Sequence, residues 1–439
     1  MQNNKYSSVI IFIMIVFCRI VCAEKYVDLD HYKDYVYGEQ PKGFVDEIIE
    51  NSFSDTWNSF KSSMNEIVVS DDNIITEYFW NTLRNSLKDG TFYNRFANTQ
   101  IKSDETGTDV FMKSVYRSID QVAVKYKSVS PQGDTIVLSG KLFLPKNKKA
   151  KHIIIANHYT ICANSEAPSC ANSIEGLFAT KDYIVIMPDY IGYGISDSLT
   201  HPYLHLKSSV TSAIDLLEAT IPYLKANSYT FNRSLILVGY SQGAAVTLAL
   251  QKELEEFYSY EFPIHKVYAG AGPYDLAGTF DYYINNPQTN IPCSLPMLIL
   301  GLNYGENLGI NRNDFFQPFL LQKCPLLIES KCKTMNQVNK ELGSDIMLLL
   351  KPIIFEKDSF PTSVLYDAVK RNSIVRWTPK TKLYLFHSIQ DDMVPFFNSS
   401  NLKIEFESQH LKNIQYDFDF YGGHMIAAVY FFEKVYKML

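Results

Sequence analysis

What this chain lacks narrows its chemistry first. No stretch of Lys and Arg is long enough to follow a phosphate backbone, and 41 basic residues face 47 acidic ones, a net charge of −6. That balance argues against nucleic acid as a partner. Neither Cys-x-x-Cys nor His-Glu-x-x-His occurs, so the spacings that hold zinc are missing and no metal or cofactor is expected. No apolar run reaches the roughly 20 residues that a membrane-spanning helix needs, so no transmembrane segment is expected. Internal repeats and low-complexity tracts are missing too. What is there is a globular composition, 46% hydrophobic and 20% charged, in 439 residues. Such a length holds one large domain with insertions or two to three small ones.

One apolar run stands at the N-terminus. Lys5 precedes ten unbroken apolar residues, Val9 to Cys18, and Val21-Cys22-Ala23 offers small residues before Glu24. This order predicts a cleaved export signal over residues 1–23, and Arg19 interrupts the run before it could anchor. A secreted protein is therefore expected. Without Lys5 and Arg19 the 41 basic residues become 39 against 47, and the net charge becomes −8. Five cysteines remain. An oxidising compartment favours the short loops Cys162–Cys170 and Cys324–Cys332, with Cys293 left over; five buried thiols are the alternative. The sequons Asn232-Arg233-Ser234 and Asn398-Ser399-Ser400 suit a secreted glycoprotein.

From about Val122 onward strands alternate with helices. "VAVKYKSV" alternates apolar and polar residues, as a half-exposed edge strand does, and "TIVLSGKLFLP" follows a Pro-Gln-Gly-Asp turn as its hairpin partner. The nearly continuous apolar runs "HIIIANHY" (152–159), "YIVIMPDY" (183–190) and "SLILVGY" (234–240) predict strands covered on both faces. Helical stretches are expected over Leu204 to Leu224, Gln242 to Tyr258 and Met425 to Lys437. Further strands are expected within 266–276, 382–392 and 414–423. The pattern predicts an α/β fold, a mostly parallel, doubly wound sheet with helices on both faces and an antiparallel first pair. Residues 117–276 and 376–439 form its core. Two regions stand outside the alternation: an aromatic-rich, mainly helical extension over 24–116, and an apolar insertion over 277–375.

Within "SLILVGYSQGAAVTLAL" a lone polar Ser241 sits between a strand and a helix, fenced by Gly239 and Gly243. A serine hydroxyl becomes a useful nucleophile only when a base takes its proton. A sharp strand-to-helix turn would expose it, and such a turn crowds its flanks, where glycine avoids a Cβ clash. An inert N-cap serine in a glycine-rich turn would read the same locally, so the partners decide.

The acid should follow a later strand, and "LFHSIQDDMVP" puts Asp391 there, with Asp392 one residue late. Asp275, in "AGPYDL", is the rival. The base should come last, and "YGGHMIAA" puts His424 between a strand end and the final helix. Only His410, in a polar helical stretch, also lies beyond the acid. Oxyanion donors are expected from the backbone amide of Gln242 and from the loop "NHYTICANS", Thr160 first and Tyr159 second.

These residues together resemble the α/β-hydrolase superfamily, whose HGxxDxxVP pattern matches around Asp391. The nearer likeness is to its secreted lipases and esterases, through "MPDYIGYGISDSLTHPYL" followed by "SAIDLLEA". It covers roughly Val122 to Leu276 and Lys382 to Lys434. One departure is His158-Tyr159, where related enzymes read His-Gly. The resemblance implies a carboxylic-ester hydrolase acting through Ser241, Asp391 and His424 on a small-molecule or lipid ester. The insertion 277–375 would form a cap over the serine, and a transient lipid interface would be a compatible partner. Serine peptidase activity on short peptides, and a non-catalytic binding role on the same scaffold, are the competing readings.

Overall fold

The continuous apolar runs form strands that are buried on both faces because their side chains alternate between two hydrophobic cores. Ile153, Ile155, Leu235 and Leu237 join one core, while Ile154, Ala156, Ile236 and Val238 join the other. In a computed structural model, which describes residues 26–36, 80, 81, 84 and 119–439, these strands belong to one nine-stranded sheet.

In chain order the strands are β1 (Val27–Asp28), β2 (Ile119–Val129), β3 (Thr135–Pro145), β4 (Lys149–Asn157) and β5 (Ile184–Pro188). They continue with β6 (Thr230–Tyr240), β7 (Ile264–Gly270), β8 (Leu383–Ser388) and β9 (Ile414–Asp419). The spatial order is β1-β2-β3-β5-β4-β6-β7-β8-β9. β2 and β3 are antiparallel along their full length, β3 runs antiparallel to β5, and all other neighbours are parallel. The expected edge strand is covered over two residues, because Val27 and Asp28 pair with Val124 and Lys125.

Helices Leu206–Ala226 and Gln242–Phe257 pack on one face, and helix His424–Met438 with the 3₁₀ turn Ile174–Lys181 packs on the other. The first of these starts later than its pattern suggests. Leu204 has φ of 56°, which a helix does not tolerate, and His205 takes the N-cap position. Between β7 and β8 the insertion is helical, with its longer helices at Leu276–Asn285, Ser294–Glu306, Met335–Leu342 and Thr362–Arg371. Its apolar residues continue the core on the face of Leu237 rather than forming a separate one. Most of that apolarity is therefore packing.

Of the expected helical extension, Trp80, Asn81 and Arg84 are helical, whereas Val27–Asp28 is a strand and Leu29–Val36 a 3₁₀ turn. The export signal lies outside the described residues, as does most of 24–116. Among the described residues no helix is long and apolar enough to cross a membrane.

One expectation about modification is corrected. No disulfide joins Cys162 to Cys170 or Cys324 to Cys332. The fold instead turns the Cys162 sulfur toward Cys293 Sγ at 3.9 Å and Met297 Sδ at 3.7 Å. Of the two sequons, the second has its asparagine, Asn398, fully buried. Its amide donates to Thr279 Oγ1 and accepts from the Asp275 backbone. Asn232 is exposed at the start of β6.

Candidate active site

Parallel sheets present their ligands at the carboxyl ends of the strands, and the candidate residues gather there. β6 ends at Tyr240, and Ser241 turns the chain with φ 56° and ψ −126° into helix Gln242–Phe257. A non-glycine residue at that φ is strained, as expected of a nucleophile held out of the sheet. The flanking glycines serve close approach rather than unusual dihedrals. A Cβ on Gly239 would strike the Gly243 carbonyl, and one on Gly243 would strike the Asn157 carbonyl at the end of β4.

Asp391 and His424 come together. His424 Nδ1 lies 2.6 Å from Asp391 Oδ2, and Asp391 Oδ1 accepts from the Met393 and Val394 amides at 2.9 and 2.7 Å. Burial by itself would raise the Asp391 carboxyl. The charge of His424 and hydrogen bonds from His387 and His424 outweigh it and hold the group well below the usual carboxylate range. Asp275 is not part of this cluster. It caps helix Leu276–Asn285, its Oδ1 accepting from the Gly278 amide at 2.9 Å, a local task that an aspartate at a helix start performs by itself. His410 is exposed beyond helix Phe397–Ser408.

Gln242 is the first residue of its helix, where the backbone N–H has no intrahelical acceptor. Tyr159 and Thr160 follow β4 and line the same cleft as Ser241 and His424. The departure from His-Gly has a structural counterpart. His158 is buried, its Nδ1 2.6 Å from the Tyr159 carbonyl and its Nε2 3.2 Å from the Asp189 carbonyl; with a single N–H the neutral ring donates to one of the two, and the shorter contact, to Tyr159, braces the loop. Burial lowers its pKa to about 4, and it stays neutral near pH 7.

No family model matches the chain, and no curated protein matches its sequence. Solved structures do match. The rice cell wall degrading esterase LipA of Xanthomonas oryzae superposes with a TM-score of 0.65 at 21% identity, over 73% of this chain and 90% of that one. A Legionella pneumophila protein provisionally described as a hydrolase gives 0.67 at 20% identity, over 75% and 93%. Candida antarctica lipase A gives 0.54 at 16% identity, over 71% and 74%. The chain has the α/β-hydrolase fold.

Two apolar clefts meet at Ser241. The first is lined by His424 and Thr160, by Ile174, and by Val429 and Phe432 of the last helix. The second is lined by Gln242 and Tyr203 and by Phe280, Leu295 and Leu298 of the insertion. Ile291 and Met393 border both.

Several residues that hold this candidate site together carry little sequence signal of their own. Asp392 Oδ1 accepts the His424 amide at 2.8 Å, and Asn290 Nδ2 of the insertion donates to its Oδ2 at 2.8 Å. Tyr240 Oη donates to the His424 carbonyl at 2.7 Å, its ring 4.9 Å from the imidazole. His387 is fully buried, with Nε2 3.3 Å from Asp391 Oδ2 and 3.0 Å from the Val394 carbonyl. Only the doubled Asp391-Asp392 and the first residue of the HGxxDxxVP pattern were visible hints.

Proposed function

We propose that this protein is a secreted serine hydrolase that cleaves carboxylic esters of lipase or esterase type. The observation that carries the reading is the 2.6 Å bond between His424 Nδ1 and Asp391 Oδ2 beside a strained Ser241, His424 and Ser241 lining one apolar cleft. With Nδ1–H donated to Asp391, the Nε2 lone pair of His424 is the free base. Ser241 Oγ attacks the ester carbonyl as its proton passes to His424, and Asp391 stabilises the imidazolium. The amides of Gln242 and of Thr160, or of Tyr159, receive the oxyanion. The acyl–oxygen bond then breaks, His424 protonates the leaving alcohol, and water repeats the sequence to free the acid and Ser241.

Since His424 must reach the leaving oxygen, the cleft it lines takes the alcohol, and the second cleft, against the insertion, takes the acyl chain. No Lys, Arg, Asp or Glu lines either cleft among the described residues. That favours an apolar ester over a peptide carrying charged termini. The names of the esterase LipA and of Candida antarctica lipase A agree with this reading.

The test is hydrolysis of p-nitrophenyl esters from acetate to palmitate by the full chain, with Ser241→Ala alongside. The variant should keep its fold and lose turnover by a factor on the order of 10⁶. Undiminished activity in the variant would refute the assignment. A folded protein whose Ser241 ignores an organophosphonate would favour the binding role instead.

A further inference from the structure

Within the stretch that resembles secreted lipases, His201-Pro202-Tyr203-Leu204 has so far been given no task. It joins β5 to helix Leu206–Ala226, far in sequence from both expected oxyanion donors, yet its two aromatic side chains reach both of them. His201 Nε2 lies 3.2 Å from Gln242 Nε2, and Tyr203 Oη lies 2.9 Å from Thr160 Oγ1. All four residues are buried.

The polarity of the first contact follows from the second nitrogen of the ring. His201 Nδ1 is 2.8 Å from the Ile191 carbonyl, which can only accept, so Nδ1 carries the proton and Nε2 offers a lone pair. Gln242 Nε2–H therefore donates to it. Burial depresses the His201 pKa to about 3, so the ring remains neutral and able to accept near pH 7. This direction fixes the Gln242 amide as well. Its Oε1 is buried and has no partner among the described residues, so the bond to His201 is the side chain's one polar tether.

We propose that His201 and Tyr203 are positioning residues that set the two oxyanion donors against each other, His201 through the side chain of Gln242 and Tyr203 through that of Thr160. The proposal rests on the ester-hydrolase reading of Ser241. The two donors belong to different elements, the loop after β4 and the helix after β6, and their amides must converge on one oxygen. Donor geometry is productive only within about 0.5 Å. Pinning both side chains to residues two apart refers both donors to one short piece of backbone. That piece is itself wedged. Tyr203 N donates to the His201 carbonyl at 2.8 Å. A Cβ on Gly192 would strike the His201 backbone, and one on Gly301, in the insertion helix Ser294–Glu306, would strike the Tyr203 backbone. Close backbone contact on both sides leaves the segment little room to shift.

Tyr203→Phe removes one hydroxyl and keeps the ring; His201→Phe removes the acceptor and keeps an aromatic. Each should lower kcat about tenfold to a hundredfold, less than outright loss of a donor, with KM within about threefold. Affinity for a trifluoromethyl ketone, whose adduct with Ser241 bears an oxyanion, should fall by a similar factor. His201→Gln, which retains an acceptor, should recover most of the rate. Thr160→Val breaks the same bond from its other end, so the double variant with Tyr203→Phe should be no worse than either single one. A merely structural role would lower thermal stability and leave the ketone affinity of the folded fraction intact. Unchanged kcat and ketone affinity in Tyr203→Phe would overturn the proposal even if His201→Phe fails to fold. Wild-type protein without Ser241-dependent turnover would overturn the ester-hydrolase reading itself, and this proposal with it.

Discussion

Asp392 accepts the backbone amide of His424 at 2.8 Å, while its neighbour Asp391 bonds the ring of the same histidine at 2.6 Å. Two adjacent carboxylates thus hold one residue by its main chain and by its side chain. The tasks are unequal. Asp391→Asn, which disturbs the tautomer and the imidazolium, should reduce kcat by about 10⁴. Asp392→Asn keeps an acceptor and should cost less than tenfold, whereas Asp392→Ala should cost more than Asp392→Asn. Steady-state kinetics on one p-nitrophenyl ester ranks the three variants, and equal losses at both positions would refute the division.

Glu175 makes stability depend on pH. It is buried in the 3₁₀ turn Ile174–Lys181, and neither carboxylate oxygen finds a hydrogen bond of ordinary geometry among the described residues. Burial raises its pKa from 4.5 to about 7, only partly offset by its own amide and the Ser173 hydroxyl. Below pH 4.5 the group is protonated in both folded and unfolded chains. Above that the unfolded chain loses the proton first, so the contribution of this group to stability falls as the pH rises, levelling off past about 7, by up to about 3 kcal/mol. Buried His158 and His201, with pKa values near 4 and 3, act in the opposite sense, so the contribution of Glu175 is read as a difference: between pH 4 and 8 the urea midpoint of the wild type should fall relative to that of Glu175→Gln as the pH rises. An identical slope in the variant would remove Glu175 as a source of pH dependence.

The sulfurs of Cys162 and Cys293 stand 3.9 Å apart, and a disulfide needs about 2.05 Å. A movement of about 2 Å would couple the loop after Thr160 to the insertion. The neighbouring Cys293 thiol, with burial, pushes the Cys162 thiol upward, so oxidation should be slow and quicken at alkaline pH. Peptide mapping without reductant after mild oxidation should find Cys162 joined to Cys293. Recovery of a Cys162–Cys170 peptide instead would contradict this geometry.

The second cleft offers a test of acyl recognition. Leu298, on helix Ser294–Glu306, lines it and does not line the first. Leu298→Trp should fill it, lowering kcat/KM for long acyl chains by at least tenfold while sparing acetate and butyrate. Equal losses on every chain length would mean that the acyl group lies elsewhere.

How much of this was legible beforehand follows from range. Strands such as Ile153–Asn157 and Leu235–Tyr240 could be recognised because an apolar run buried on both faces is a local signal. The turn at Ser241 could be recognised because Gly239 and Gly243 leave room that a Cβ would fill. Asp275 illustrates the limit: an aspartate at a helix start and one beside a histidine look alike until the chain is folded. The buried Asn398 makes the same point. Its sequon is a chemical signal, and the burial of its asparagine is something no triplet encodes. The cysteine pairing failed for a related reason, since short loops are the nearest partners in sequence and Cys293, across the fold, is the nearest in space.

By itself the sequence determined the alternation of strand and helix, the glycine-flanked serine and the order Ser241, Asp391, His424, because each depends on residues adjacent in the chain or on their succession. Only the tertiary structure decided that Asp392 ties down the His424 backbone, that Cys162 faces Cys293, and that His201 and Tyr203 reach Gln242 and Thr160. Those contacts join residues 32 to 131 positions apart, and a contact depends on distance and angle in space, which separation along the chain does not record.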